Sequence, residues 1–236
     1  MRITGFENVT QEDIAYETSV TTVCGCWKQK HNTIALAKRV LAEGVPGDFA
    51  ECGVCAGTQP ALMAYVLSRY GGAGRRVHLF DSFELGFSKE RVHVADDLVG
   101  YVPAAPEPAG ETMTSVEQVK ANMVRWQVDR SRLVYHEGWL EESLPRLAAA
   151  GALPEKLALL RLDIDFYSPT KAAFEYLYDR VSPGGFIISD DWGMYDLDHP
   201  NPNGCRMAAL NFFANRRLRP PIVTHVSDGT VWWRKE

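Results

Sequence analysis

The stretch ECGVCAGTQ, residues 51–59, joins a short apolar run to a longer amphipathic one. The apolar run at 49–54 predicts a strand, and the helical spacing of apolar residues at 57–70 predicts a helix. Gly53 permits a positive φ or a close backbone approach, and Gly57 permits the helix N-terminus to come near a ligand. The stretch therefore predicts a strand, a ligand-binding turn and a helix, in that order.

The same alternation of short apolar and longer amphipathic runs continues along the chain. Strands are predicted at 49–54, 77–80, 133–136, 157–164, 186–189, 222–226 and 230–234, and helices at 57–70, 115–126, 141–150, 170–181 and 206–217. Strict alternation of strands and helices predicts a parallel sheet with helices on both faces, and Asp228-Gly229 is a hairpin signal between the last two strands. We therefore expect an α/β fold with a doubly wound, mostly parallel, seven-stranded sheet.

The N-terminal part has a different pattern. Residues 11–43 have helical spacing and are followed by Gly44 and Pro46, which end helices. We expect residues 1–44 to form an N-terminal helical cap and residues 45–236 to form the domain that contains the sheet. These helices could cover a ligand, form a dimer contact or belong to the core.

Composition excludes several classes of partner. The chain has 236 residues, of which 46% are hydrophobic, and a net charge of −5. This charge provides no basic field for nucleic acid or for an anionic membrane surface. The N-terminal sequence lacks the pattern of a secretory signal, and no apolar run reaches the roughly 18 residues that a membrane span needs.

The five cysteines at 24, 26, 52, 55 and 205 are irregularly spaced. An odd number in a chain of this size does not indicate a disulfide framework, and no second pair completes a zinc site with Cys52 and Cys55. We interpret them as packing residues, and the expected compartment is a reducing cytoplasm.

Acidic residues follow the predicted strands where these end. Glu51 ends the first strand and Asp81 the second, Asp163 and Asp165 lie at the end of the fourth, and Asp190-Asp191 follow the fifth. Ligands of doubly wound sheets bind at this carboxyl edge. One such aspartate would be explained as a helix cap. Four strands ending in acids at one edge instead predict a binding site.

The glycine turn and Asp81 together restrict the ligand. No Gly-Lys-Ser/Thr follows Gly57, so the turn is not a P-loop, and the three glycines of a dinucleotide turn are absent. Asp81 lies 24 residues after Gly57, where an acid can accept hydrogen bonds from both hydroxyls of a ribose. This pattern predicts a nucleoside ligand with a small charged tail.

In these segments the chain resembles the macrocin-type O-methyltransferases, the TylF family. The resemblance lies in an ordered set of blocks across residues 45–235: GDFAECGV at 47–54, LFDSFE at 79–84, EGW at 137–139, LLRLD at 159–163 with Asp165 and Tyr167, SPGGF at 182–186, DDWG at 190–193, GCR at 204–206 and WWRK at 232–235. It implies a Rossmann-like class I methyltransferase domain at 45–236 that uses S-adenosylmethionine and a divalent metal.

The resemblance also implies roles for individual residues. Glu51, Gly53, Gly57 and Thr58 would border the methionine end of the cofactor, Asp81 would bind the ribose with Ser82 and Phe83 beside it, and Gly138 and Trp139 would lie near the adenine. Asp163, Asp190 and Asp191 would bind the metal, and Asp163, beside the cofactor, is also a candidate base. The usual Gly-Gly-Ser turn reads Gly57-Thr58-Gln59 here, so Thr58 would replace the serine.

The chemistry of the three carboxylates also predicts a divalent metal ion. Three carboxylates without a histidine or cysteine set form a hard oxygen site, which suits Mg²⁺ or Mn²⁺. Such an ion lowers the pKa of a bound hydroxyl and fixes its position for attack on the methyl group. His199, in the long loop 195–203, is a second candidate for the base because its pKa suits proton transfer. Residues 84–113 form another long connection, and loops of this length often serve as lids.

The expected reaction is methylation of a small-molecule hydroxyl, with a sugar or glycosylated natural product as the substrate that the family implies. The expected assembly is a homodimer. Two other classes remain open. A nicotinamide-dependent oxidoreductase would need the three-glycine turn, and a non-catalytic S-adenosylmethionine-binding protein would be expected to lack the metal acids.

Overall fold

The computed structural model describes residues 6–20, 26–84, 115–193, 204–227 and 229–236, and a seven-stranded sheet lies at its centre. The strands β1 to β7 span Asp48–Cys52, Val77–Asp81, Leu133–Glu137, Leu157–Leu162, Val181–Ser189, Thr224–His225 and Val231–Arg234. Their order is β3-β2-β1-β4-β5-β7-β6. Strands β1 to β5 pair in parallel, whereas β7 is antiparallel to both β5 and β6. The predicted doubly wound, mostly parallel sheet is confirmed.

Helices cover both faces of the sheet. The helices α1 to α7 span Gln11–Ser19, Trp27–Ala42, Thr58–Tyr70, Val116–Arg125, Leu140–Ala149, Tyr167–Leu177 and Gly204–Asn215. Successive strand residues point to opposite faces, so Phe49 packs with α2, α3 and α4, while Ala50 packs with α5, α6 and α7. The sheet is thus buried on both sides, and its carboxyl edge stays available for a site.

Strand and helix bounds differ from the sequence prediction at several points. The fourth strand ends at Leu162 rather than at 164, and the sixth is reduced to Thr224–His225. The fifth begins at Val181 rather than at 186, because the chain re-enters the sheet before Pro183 with a shift in register against β4. The Pro183-Gly184-Gly185 sequence lies within this strand and forms an irregular part of it.

The helix α2 packs on the sheet, and α1 packs on α2. Ile34 and Val40 of α2 are fully buried in the same core as Phe49. The helix α1 is fixed by Asp13, which accepts hydrogen bonds from Lys38 Nζ at 2.7 Å and from the Tyr70 hydroxyl at 2.7 Å. These helices therefore belong to one packed layer. The division of the chain into a cap at 1–44 and a domain at 45–236 stays a prediction.

Candidate functional site

The turn after β1 requires glycine for steric reasons. Gly53 has a φ of +83°, and a Cβ at this position would lie 1.7 Å from the backbone oxygen of Asp163. Two hydrogen bonds keep these backbone segments close together, one from Asp163 N to Cys52 O and one from Gly53 N to Phe80 O, both 2.9 Å. The ends of β1, β2 and β4 therefore meet at Gly53, and the ligand-binding role of the turn stays a prediction.

The helix α3 begins directly after this turn. Gly57 is its N-cap with a φ of +91°, and a Cβ there would lie 2.6 Å from Met123 Cε. No side chain caps the helix at this residue. The Thr58 hydroxyl donates to Val20 O at 3.3 Å, toward the N-terminal segment. Its expected role in place of the family serine stays a prediction.

Asp81 connects the ends of β1 and β2. Its Oδ2 accepts the Val54 N–H at 2.5 Å, while its Oδ1 accepts the Phe83 N–H at 2.8 Å and the Ser82 hydroxyl at 3.4 Å. The Gly138 N–H donates to Asp81 O at 2.9 Å. The predicted ribose acid thus lies beside its expected neighbours and beside the turn that precedes Trp139.

Trp139 begins α5 next to this cluster. Its indole Nε1–H donates to Glu84 Oε2 at 3.2 Å, and Gly138 before it has a φ of +124°. The structure therefore brings the residues predicted for the ribose and the adenine together at one end of the carboxyl edge.

Arg161 organises the acids at the other end. It is 1% exposed and donates through Nη1 to Glu51 and through Nη2 to Asp190, and a further contact from Nη1 to Asp163 Oδ2 measures 3.1 Å. The strand register explains the arrangement, because Glu51 and Arg161 are partners on β1 and β4. Sequence analysis did not assign Arg161 to the site. The available signal was a single arginine within the buried strand LALLRL.

One guanidinium faces more carboxylates than it can neutralise. Burial raises the pKa of Glu51 to about 8, against the effect of Arg161, and the charges of Asp163 and Asp81 raise it further. Glu51 Oε2 and Asp190 Oδ1 are buried, and neither atom has a hydrogen-bond partner among the residues that the structure describes. Buried carboxylate oxygens of this kind are expensive unless a cation or a donor reaches them. The site therefore carries an excess of negative charge, which a positively charged ligand would reduce.

Asp191 lies beside a second acid that sequence analysis placed at the edge without giving it a role. Its Oδ2 accepts the N–H groups of Ile164 and Asp165, each at 2.9 Å. Burial, followed by the charges of Asp165 and Asp163, raises the pKa of Asp191 well above its usual range. Asp165 has a φ of +58°, a conformation that aspartate tolerates better than most residues.

The three predicted metal ligands do not form a ready-made coordination group. Within the described residues no cluster of three or more His, Cys, Asp or Glu side chains has the geometry for a metal ion. Asp190 is turned to Arg161, Asp191 is turned to backbone N–H groups, and the Asp163 side chain is 39% exposed. Hard oxygen donors and the unpartnered Asp190 Oδ1 nevertheless fit a divalent cation chemically.

Several expectations fall on residues that the structure does not describe. His199, the loop 195–203 and nearly all of 84–113 lie outside the described residues. Cys52 and Cys205 are buried free thiols, as the packing interpretation expects. That interpretation is wrong for Cys26, which is exposed, and for Cys55, which is disulfide-bonded. This bond removes the cysteine argument for a reducing compartment.

Among the described residues, no helix has the length and apolar character that crossing a bilayer would require. A family model described as "Macrocin-O-methyltransferase (TylF)" matches residues 16–235.

The chain is 35% identical over 208 residues to the 8-demethyl-8-(2,3-dimethoxy-alpha-L-rhamnosyl)-tetracenomycin-C 4'-O-methyltransferase of Streptomyces olivaceus, covering 88% of this chain and 73% of the relative. It is 31% identical to the mycinamicin III 3''-O-methyltransferase of Micromonospora griseorubida, covering 93% of this chain and 80% of the relative.

Solved structures agree with the fold. The O-methyltransferase NovP superimposes with a TM-score of 0.74 at 26% identity, covering 88% of this chain and 79% of that one. An O-methyltransferase from Bacillus cereus in complex with SAH shares the fold at a TM-score of 0.55 and 16% identity, covering 98% of this chain and 90% of that one.

Proposed function

The chain belongs to the TylF family of macrocin O-methyltransferases and is accordingly an S-adenosylmethionine-dependent O-methyltransferase, and from that premise we propose that it methylates a sugar hydroxyl of a glycosylated natural product with the help of a divalent cation. The sugar is proposed because two relatives are named for rhamnosyl-tetracenomycin and for mycinamicin III, and the reaction is proposed to depend on the acids of the carboxyl edge.

The observation that carries the proposal is the surplus of buried negative charge around Arg161. Glu51, Asp163 and Asp190 all contact this one guanidinium, and burial keeps the pKa of Glu51 near 8. A sulfonium is a cation, so its arrival beside Glu51 would favour the ionised carboxylate and would relieve the imbalance. This charge pattern supports S-adenosylmethionine over a neutral nucleoside.

We assign the cofactor contacts along the edge. Glu51 and Gly53 are proposed to border the methionine part, together with Gly57 and Thr58 at the start of α3. The ribose is proposed to lie at Asp81, Ser82 and Phe83, and the adenine at Gly138 and Trp139. The hydrogen bonds from Gly138 N to Asp81 O and from Val54 N to Asp81 Oδ2 support this order, because they join the three segments into one continuous rim.

Asp163, Asp190 and Asp191 are the residues that would hold Mg²⁺ or Mn²⁺. When bound, the cation would make a substrate hydroxyl more acidic and orient it. Asp190 would have to exchange part of its contact with Arg161 for the metal, and its unpartnered Oδ1 supports this arrangement. The raised pKa of Asp191, caused by burial and by Asp165 and Asp163, also favours a nearby positive charge.

The residues of this chain then have three tasks in methyl transfer. The rim from Glu51 to Trp139 holds the sulfonium, and Asp163 or His199 takes the proton from the attacking hydroxyl. When bound, S-adenosylmethionine would supply the methyl group, whose carbon would bond to the hydroxyl oxygen while the electron pair of the carbon–sulfur bond would remain on sulfur. Fixed orientation of the two reactants supplies much of the rate enhancement in such a displacement.

Calorimetric titration tests the proposal. S-adenosylmethionine, S-adenosylhomocysteine and NAD are each titrated with and without Mg²⁺, and again after chelation. We expect binding of the first two without metal and none of NAD. NAD binding would favour the oxidoreductase instead, and cofactor binding without turnover on any rhamnoside or macrolide glycoside would favour the non-catalytic protein.

A matched pair of variants separates the cofactor from the metal. Asp190→Asn is expected to abolish turnover while S-adenosylmethionine affinity stays within a few-fold, because the change affects the metal ligand. Asp81→Ala is expected to weaken cofactor binding most. Equal loss of cofactor binding in both variants would refute the metal assignment. Sedimentation of the wild-type chain tests the proposed homodimer.

A further inference from the structure

A cavity of about 230 Å³ lies away from the carboxyl edge. It is bounded by α2, by the segment before α1 and by the β6–β7 edge of the sheet, and the residues that define its chemistry are Phe6, Asn32, Leu36, Arg39, His225 and Trp232. No described residue that we assign to the cofactor or the metal lines it. The cavity is therefore separate from the methyl-transfer site.

Asn32, which lines this cavity, carries an unsatisfied polar group. The residue is 3% exposed, and its Nδ2 is buried and finds no hydrogen-bond partner among the described residues. Leaving a buried amide unpaired costs roughly 1 to 3 kcal/mol, so such groups in native proteins call for an explanation. A carboxamide offers both donors and an acceptor, and a hydroxyl group can pair with either.

The walls around Asn32 combine aromatic surface with balanced charge. Trp232 is positioned by an edge-on contact with Phe186, at 5.3 Å between ring centroids. Glu7 and Arg39 bring one acid and one base to the lining, and Arg39 Nε lies 2.8 Å from Glu43 Oε1, so the charge of Arg39 is already paired. An anion would compete with Glu43 for Arg39, whereas a neutral ligand would leave that pair intact.

Size and chemistry together define the ligand. The volume lies below the roughly 300 to 1,000 Å³ of pockets for drug-sized ligands, which leaves space for a single ring. The C–H faces of such a ring can pack on Trp232 and Phe6 while its hydroxyls pair with Asn32 and His225. We propose that this cavity binds a neutral, polyhydroxylated ring of monosaccharide size at a site separate from methyl transfer.

Fluorine NMR of the full chain tests this directly. The chain has six tryptophans, and labelling with 5-fluorotryptophan gives each its own resonance, assigned through Trp232→Phe and Trp139→Phe. With S-adenosylhomocysteine at saturation, methyl α-L-rhamnopyranoside or methyl α-D-glucopyranoside is expected to shift the Trp232 resonance with a millimolar Kd. Sodium phosphate is expected to leave it unchanged. A shift with phosphate but not with the glycosides would overturn the proposed chemistry.

Two variants distinguish the cavity from non-specific contact. Asn32→Leu removes the amide at similar volume and is expected to raise the Kd about tenfold, as loss of one net hydrogen bond requires. Thr224→Phe fills the cavity from the edge strand and is expected to abolish the shift, while Thr18→Phe, on an exposed position of α1, is the matched control. An unchanged Kd in Thr224→Phe overturns the proposal even if Asn32→Leu fails to fold.

The Trp139 resonance keeps the two hypotheses apart. Its response to S-adenosylhomocysteine reports on the proposed cofactor site, whereas the response of Trp232 to the glycosides reports on the cavity. Absence of a Trp232 shift in a protein whose Trp139 responds would refute the cavity site alone. Absence of the Trp139 response would count against the proposed cofactor rim and leave the result for the cavity intact.

Discussion

Asp13 and Glu51 are both buried acids, yet their surroundings shift their pKa values in opposite directions. Burial acts against the ionised form of Asp13, but hydrogen bonds from Lys38, Thr10 and Tyr70 outweigh it and lower the pKa to about 2. Burial also acts against ionised Glu51, and there the single contact with Arg161 does not compensate, so the pKa rises to about 8.

The difference lies in the number of partners available to each carboxylate. Both Asp13 oxygens have donors, with the Tyr65 hydroxyl at 3.1 Å and the Lys38 ammonium at 2.7 Å among them. Glu51 shares Arg161 with two other acids, and within the described part of the chain its Oε2 has no partner. A satisfied acid stabilises the fold, whereas an unsatisfied acid at a sheet edge creates a demand for a ligand.

The largest effect is expected from removing Arg161. Arg161→Met leaves Glu51, Asp163 and Asp190 without their shared cation, and breaking a buried ion pair from one side costs roughly 3 to 5 kcal/mol. We expect a loss of that size in the free energy of unfolding, measured with urea, at pH 8. The loss should be smaller at pH 6, where Glu51, with a pKa of about 8, is protonated and no longer forms an ion pair with Arg161.

The double variant Arg161→Met, Glu51→Gln is the control for this interpretation. It removes a charge that the single variant leaves unpaired, so it should recover part of the lost stability. A double variant less stable than the single one would mean that Arg161 acts mainly through packing, and the contrast between Glu51 and Asp13 would then lose its basis.

The second effect is expected at the satisfied acid. Asp13→Asn removes the charge that holds Lys38 and weakens the acceptors of Tyr65 and Tyr70, at a cost of about 3 kcal/mol. Because Asp13 lies away from the carboxyl edge, affinity for S-adenosylhomocysteine should stay unchanged at temperatures well below melting. Urea unfolding and calorimetry check the two halves of this prediction, and a parallel loss of affinity would contradict it.

Acid titration of the wild-type chain tests how Asp13 changes the free energy of unfolding as the pH falls. Its pKa is lowered from 3.8 to about 2 in the folded state, so the unfolded state binds more protons between these values. The stabilisation, about 2 kcal/mol, should be complete above pH 4 and should disappear as the pH falls toward 2. In Asp13→Asn this part of the acid transition should be missing.

The acids at the carboxyl edge of the sheet could be predicted from the sequence, but the contacts between side chains at that edge could not. The strands, the turn at Gly53 and the acids at 81, 163, 190 and 191 follow from local patterns, because parallel strands always bring their carboxyl ends to one edge. The contact between Glu51 and Arg161 depends on the register of β1 against β4, which no local pattern specifies.

The long-range contacts of Asp13 in the N-terminal helices could not be predicted from the sequence either. Asp13 lies in the first turn of α1, where its Oδ2 accepts the N–H of the N-cap residue Thr10 at 2.8 Å. Its contacts with Lys38 and Tyr70 link α1 to helices far along the chain, and such contacts depend on how α1 and α2 pack. The wrong bounds of the fifth strand have a similar cause, because the shift in register against β4 is a tertiary feature.

A smaller effect should distinguish the two acids in a binding experiment. Glu51, with a pKa of about 8, is mostly protonated at pH 7, and a cationic sulfonium beside it would favour the ionised form. S-adenosylmethionine should therefore release a fraction of a proton on binding, and neutral S-adenosylhomocysteine should release less. Titration in buffers of different ionisation enthalpy measures both values, and Glu51→Gln should remove the difference. Equal proton release by both ligands would place the sulfonium away from Glu51.

The smallest effect is expected at the exposed pair of Glu12 and Arg69, which lies one residue from Asp13. Arg69 Nη2 is 2.8 Å from Glu12 Oε2, but both side chains are more than half exposed, so water and salt screen their attraction. Glu12→Gln should leave the urea midpoint unchanged within error and should leave cofactor affinity unchanged. The pKa of Glu12, like that of Asp13, is lowered, and the hydrogen bond with Arg69 is the largest cause. If Glu12→Gln destabilised the chain as much as Asp13→Asn, burial and the number of donors would not explain why Asp13 stabilises the fold, because the two acids differ in both.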